Sequence, residues 1–147
     1  MCHIRQGCPH SGGVSNINSW FHAQSCARKW GGTPEDYLPI HTFIDSSKQV
    51  LGDARHRAMY HHTLGCFLAE SIFGKTITVA KKGGEGTHEV PVRLIAERHI
   101  IEDLGWLPSP ADYLKDMPLK QWMSGSVRKE LPLSHLLGDQ PTFQETT

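Results

Sequence analysis

The chain contains no apolar run approaching the roughly 20 residues that a membrane-spanning helix requires, and this excludes a helical membrane span. It also has no charge imbalance: 15 Lys and Arg face 15 Asp and Glu within 147 residues. Nothing therefore draws it in general toward nucleic acid or an anionic surface, and a nucleic-acid partner is disfavoured. The N-terminus lacks the apolar core of a secretory signal, so the expected compartment is the cytoplasm. In that reducing setting Cys2, Cys8, Cys26 and Cys66 are expected as free thiols.

Several catalytic patterns are missing as well. No pair of histidines one helical turn apart carries a glutamate between them, so the usual zinc-hydrolase helix is absent. Gly83, Gly84 and Gly86 do not lead from a strand into a helix in phosphate-loop spacing, and no Ser or Cys sits in a nucleophile elbow. Cys2, His3, Cys8 and His10 are ligand types without zinc-site spacing or a second half-site.

What the chain does have is histidine, ten in all. A length of 147 residues suits one domain with one core. Residues 1–15 show no apolar period and read as a flexible arm, residues 16–124 as a single helical domain, and residues 125–147 as a loosely ordered tail.

Within that domain, Asn16 or Ser19 can cap a first helix that Gly31 and Gly32 end at Trp30. Pro34 and Pro39 make Thr33 to Thr42 a connecting loop. Asp45, Ser46 or Ser47 then caps one long central helix reaching to Phe73, with Val50, Leu51, Ala54, Ala58, Gly65, Leu68, Ala69 and Ile72 on its apolar face. Thr76 to Val79 and His88 to Val90 form a short β-hairpin that must lie on the helices. Pro91 starts a helix from Val92 to Leu104, which Gly105 ends, and Ser109 caps a short helix from Pro110 to Met117. The expected fold is mainly α (α+β): a small helical bundle with one long central helix and a short hairpin packed on it.

The run Arg55 to His62 holds three histidines. On the wheel of a straight helix, His61 projects about 140° from His56 and falls among the apolar residues. A buried imidazole needs a partner for each ring nitrogen: a metal, a carboxylate or a backbone carbonyl. His62 borders the same face, whereas His56 points away with Arg57 and Asp53, so one straight helix cannot bring all three rings to one ion. On the Val92 to Leu104 helix, His99 and Asp103 are four apart and share a face, suited either to a shared metal or to an ordinary ion pair. His22 beside the first apolar stripe, and His41 with Asp45 four residues on, repeat the pattern. His88 is expected to face solvent.

The segments Ala27 to Gly32, Asp36 to His41, Arg55 to His62 and Val90 to Gly105 resemble a family of small proteins of unknown function from bacteria and their phages. The likeness runs from about His22 to Met123. It implies a compact one-domain protein with the His-rich run as its signature, acting in a bacterial cell, and it supplies no catalytic assignment.

Bundles build metal sites from inward-facing His and carboxylate side chains on neighbouring helices. The expected site is a divalent Zn, Mn or Fe ion held by His41, His61, His99 and Asp103. His62 and His56 are the expected acid/base groups, and Arg55, His56 and Arg57 would meet a small anionic substrate, as in a metal-dependent hydrolase. The competing expectation is a non-enzymatic factor that docks on a host or phage protein, or an assembly component that self-associates through Trp106, Tyr113 and Trp122, its histidines structural.

Overall fold

The computed structural model describes the backbone of residues 15–124 and the side chains of residues 18–123. The N-terminal arm with its Cys and His residues and the tail from residue 125 lie outside the described residues. The chain divides into two compact units, residues 1–115 and 116–147.

Among the described residues the first unit has six α-helices and one hairpin, a mainly α architecture with a minor β part. Helix α1 spans Ser15–Trp30 and ends at Gly31 and Gly32, whose φ angles of +94° and +67° favour glycine. The amide of Gly32 donates to the Ala80 carbonyl at 2.9 Å, and a Cβ on Gly31 would collide with that same carbonyl. Here the end of α1 touches the hairpin, so the expected glycine stop is also a close-approach site.

Residues expected as a loop form a second helix instead, α2 (Pro34–Asp45). Pro34 sits in the first turn, where its missing N–H costs nothing, and Asp36 accepts from the Thr33 amide at 2.7 Å. Pro39 lies within the helix, but both it and Glu35, one turn earlier, are exposed, so water can serve the carbonyl that loses its amide partner. The opposite face buries Tyr37, Ile40, His41, Ile44 and Asp45. Full burial of each large apolar side chain contributes about 1.5–3 kcal/mol, enough together to offset the proline. Of the helix pairs, α1 and α2 pack most extensively.

The single long helix expected over residues 47–73 is not formed. A 3-10 turn Ser46–Gln49 continues α2, and the chain then runs irregularly through Gly52 to Asp53, whose carboxylate accepts from the Arg55 amide at 2.9 Å. A 3-10 turn Ala54–His56 leads into the one-turn helix α3 (Arg57–Tyr60). His61 leaves helical geometry at ψ 58°, and extended His62 caps α4 (Thr63–Phe73) by accepting the Gly65 amide on Nδ1 at 3.3 Å. The break is enforced at Gly65, where any Cβ would overlap the Tyr60 carbonyl. The apolar face assumed for a straight helix is accordingly buried only in part: Val50 is 79% and Ile72 58% exposed. On α4, Gly65 and Ala69 of that face are buried, together with Cys66.

Strands β1 (Thr76–Ala80) and β2 (Thr87–Pro91) pair antiparallel with Ile77 opposite Val90 and Val79 opposite His88. Val79 and Val90 point inward, as alternation requires. His88 does not simply face solvent; its ring N–H donates to the Trp30 carbonyl at 2.6 Å and ties the hairpin to the end of α1. Helix α5 (Val92–Leu104) ends at Gly105, with φ of +80°, as its flanking residues predict. It is the core helix, burying Val92, Ile95, Ala96, His99 and Ile100. Helix α6 (Pro110–Leu114) is capped by Ser109, whose amide and hydroxyl both donate to Asp112, at 2.7 and 2.8 Å. In the second unit a 3-10 turn covers Gln121–Ser124. No helix among the described residues is long and apolar enough to cross a membrane.

Two outcomes follow from this packing. Gly65→Ala should destabilise the protein by about 2–3 kcal/mol, read from the urea midpoint, whereas Gly52→Ala, with open space around it, should leave the midpoint unchanged or slightly raised. Cys26 and Cys66 are buried free thiols, and burial pushes each up to about 12. Brief alkylation at neutral pH followed by peptide mapping should leave both unmodified until denaturant is added; native labelling of either would contradict the packing.

Candidate metal centre

Three helices bring four side chains to one point. Asp45 is the last residue of α2, His61 is the residue at which α3 stops, and His99 and Asp103 lie one turn apart on α5. Asp45, His61 and His99 are fully buried, and the Asp103 side chain is 15% exposed. His61 Nε2 lies 3.6 Å from Asp45 Oδ1 and 3.3 Å from Asp103 Oδ2, and His99 Nε2 lies 3.5 and 3.9 Å from the same two oxygens. All four atoms fall within 4.8 Å of one another. A tetrahedral ion with bonds of about 2.0–2.1 Å has ligand-to-ligand edges of about 3.3 Å. The cluster is therefore close to the size of a coordination sphere.

The hydrogen-bond inventory points the same way. Both His61 Nε2 and His99 Nε2 are buried without a hydrogen bond among the described residues. Leaving such atoms unsatisfied is costly in a dry interior. Asp45 Oδ2 accepts from the Ser19 hydroxyl at 2.8 Å, which leaves Oδ1 aimed at the cluster.

Metal ligation requires neutral imidazole and ionised carboxylate. Burial holds His61 and His99 below the ordinary imidazole range, against an opposing pull from Asp103 and Asp45 respectively. Burial pushes Asp45 up, but His99, Lys48 and Ser19 outweigh it and hold the carboxyl well below its usual range. Asp103 shows the same balance, with His22 and His61 outweighing burial. Two cations stand beside the carboxylate oxygens of the cluster: Lys48 Nζ is 2.7 Å from Asp45 Oδ1, and Arg57 Nη2 is 3.5 Å from Asp103 Oδ2.

A second layer fixes the first. His41 Nδ1 meets His99 Nδ1 at 3.1 Å, and His41 Nε2 meets Cys26 Sγ at 3.3 Å. For His99 to offer its Nε2 lone pair, its Nδ1–H must donate to His41, whose Nε2–H then donates to the sulfur. Burial, with His99 and His22 nearby, lowers His41 to about 2, so it stays neutral in this chain. His22 lies tilted against His99, ring centroids 4.1 Å apart at an interplanar angle of 37°, and reaches Glu102 Oε2 at 2.7 Å and Asp103 Oδ1 at 3.1 Å. Burial pulls His22 down, but the hydrogen bonds to Asp103 and Glu102 prevail and raise it.

Of the residues expected from sequence, His61, His99 and Asp103 converge. His41 stands one layer out, both nitrogens turned to His99 and Cys26. His62 is committed to the backbone, Nε2–H donating to the Ala58 carbonyl at 3.1 Å while Nδ1 accepts from Gly65. His56 donates from Nδ1 to the Asp53 carbonyl at 2.7 Å, meets the His61 ring edge-on at 5.2 Å and leaves Nε2 without a hydrogen bond among the described residues. Arg55 is paired with Asp53 at 2.7 Å. Asp45, read from the sequence as a helix cap and as the carboxylate four residues after His41 but not as part of the expected site, joins the cluster where His41 does not.

A cleft of about 430 Å³ adjoins the cluster, lined by Lys48, Gly52, Asp53, His56 and Arg57 among others. It is thus bordered by both cations that touch the ligand carboxylates. No curated protein and no solved structure matches the chain. A family model does match, over residues 17–123. The chain belongs to that family, the domain of unknown function DUF6915.

Proposed function

We propose that this protein binds one divalent transition-metal ion through Asp45, His61, His99 and Asp103 and uses it for hydrolytic chemistry, in the bacterial or phage setting that the sequence resemblance implies. One observation carries this reading: two buried imidazole nitrogens without hydrogen bonds among the described residues face two carboxylate oxygens at 3.3–3.9 Å. Two nitrogen and two oxygen donors suit Zn, Mn or Fe. Such an ion lowers the pKa of bound water and polarises a phosphoryl or carbonyl oxygen. His56, at the cleft with Nε2 uncommitted, is the residue we assign to proton transfer. His41 positions His99, and His62 serves the fold.

A second reading, a non-enzymatic docking factor, is favoured by the exposed Leu64, Phe67, Leu68 and Ile72 along α4. It requires no ion, and elemental analysis separates the two.

Purified full-length protein saturated with zinc and desalted should carry about one ion per chain. His61→Ala, His99→Ala and Asp45→Asn should each abolish this, while His88→Gln should retain it. A metal content near zero in the unaltered chain would refute the proposal. Chelation should lower Tm by roughly 5–10 °C relative to protein held at about a hundredfold excess over Kd.

Protons compete with the metal for both imidazoles, and burial holds their pKa below the ordinary 6.5. Competition therefore begins only at lower pH. Zinc affinity should stay nearly flat as pH falls through 6.5 and decline in more acidic solution; a steep loss centred at 6.5 would indicate solvated histidines.

A further inference from the structure

The cations beside the cluster have a second consequence. Lys48 and Arg57 approach Asp45 Oδ1 and Asp103 Oδ2, the same oxygens that face the candidate ion. Both side chains also line the adjoining cleft. These four charges sum to zero without an ion. A divalent ion raises the sum to two positive charges and takes over the oxygens that now hold the lysine and the arginine.

We propose that the cleft binds the dianionic phosphoryl group of a small phosphate monoester, and that it does so only when the metal is loaded, because the ion releases Lys48 and Arg57 from the ligand carboxylates. This rests on the metal-binding reading above.

Several features of the cleft fit that ligand. Arg57 lines the cleft with its side chain 31% exposed, and its contact with Asp103 is long at 3.5 Å, so the guanidinium can turn to make a bidentate contact with phosphate. His56 is buried with Nε2 unbonded among the described residues and lines the same wall. Gly52 leaves open space where a side chain would otherwise stand. Among the described residues the one carboxylate on the wall, Asp53, is neutralised by a two-pronged contact from Arg55, with nitrogen to oxygen distances of 2.7 and 3.1 Å. A volume of about 430 Å³ exceeds a bare phosphate and leaves room for a small organic group. His22, Glu102 and Arg98 form a separate paired set on the other side of His99 and Asp103.

The exchange makes Lys48 and Arg57 act in opposite directions on the two ligands. They compete with the metal for the carboxylates, and they attract the phosphate once freed. Removing either should tighten zinc and weaken phosphate.

The test uses full-length protein, loaded with one equivalent of zinc or stripped with chelator, titrated with inorganic phosphate in a calorimeter. Zinc-loaded protein should bind one phosphate at least about tenfold more tightly than the stripped form. Phenyl phosphate should displace it. Lys48→Gln and Arg57→Gln should each weaken phosphate about tenfold while binding zinc about threefold or more tightly, and their zinc content reports that they are folded.

Equal phosphate affinity with and without zinc would overturn the inference and leave the metal site standing. Undiminished phosphate binding in both variants would place the anion on the ion alone and overturn it as well. Failure of phenyl phosphate to compete would overturn the assignment to monoesters. Absence of zinc in the unaltered chain would instead remove the metal reading itself, a distinct result.

Discussion

Where α2, α3 and α5 meet, two ionised carboxylates and the Nε2 atoms of two imidazoles converge on one buried volume. Two carboxylates brought this close in a dry interior repel, and positive charge beside them is what makes the arrangement stable. In the chain by itself Lys48 and Arg57 supply part of that charge from the cleft side, and His22 supplies more from behind Asp103. The packing of α2 on α1 and the break between α3 and α4 both serve to bring these side chains to that point.

The break explains much of the local sequence. His61 leaves helical geometry at the end of α3, and Gly65 then packs on the Tyr60 carbonyl, where no Cβ would fit. Asp53 and His62 each cap a short helical piece, and the chain between them turns His61 inward. His56 and His62, which share the run with His61, are then divided between the cleft wall and a helix cap. Histidines two or more elements apart contribute more to the cluster than neighbours in sequence do.

Parts of this were legible in the sequence because punctuation and period agreed. Gly31 and Gly32, Pro91 and Gly105 mark the ends of α1 and α5 where the structure has them, and on the uninterrupted α5 the spacing of His99 and Asp103 gave their shared face correctly. Helix α2 was hidden because two prolines read as breakers, although one starts the helix and the other lies on its solvent side; with α2 lost, the same spacing at His41 and Asp45 could not be placed. The burial of His61 was anticipated for a reason that does not hold, since Val50 and Ile72 of the supposed core face are exposed. Side-chain caps and a glycine forced by one carbonyl are tertiary facts, and periodicity does not carry them. The second layer around His99, from Cys26 through His41, is likewise visible only once α1, α2 and α5 are packed.

The account stands on one ion lying among four named atoms. Anomalous diffraction at the zinc edge, from crystals of the full-length protein grown with equimolar zinc, tests this most directly. A single peak about 2.0–2.2 Å from Asp45, His61, His99 and Asp103 is the expected result. A peak elsewhere, or none, with His61 and His99 hydrogen-bonded to ordered water, would contradict it.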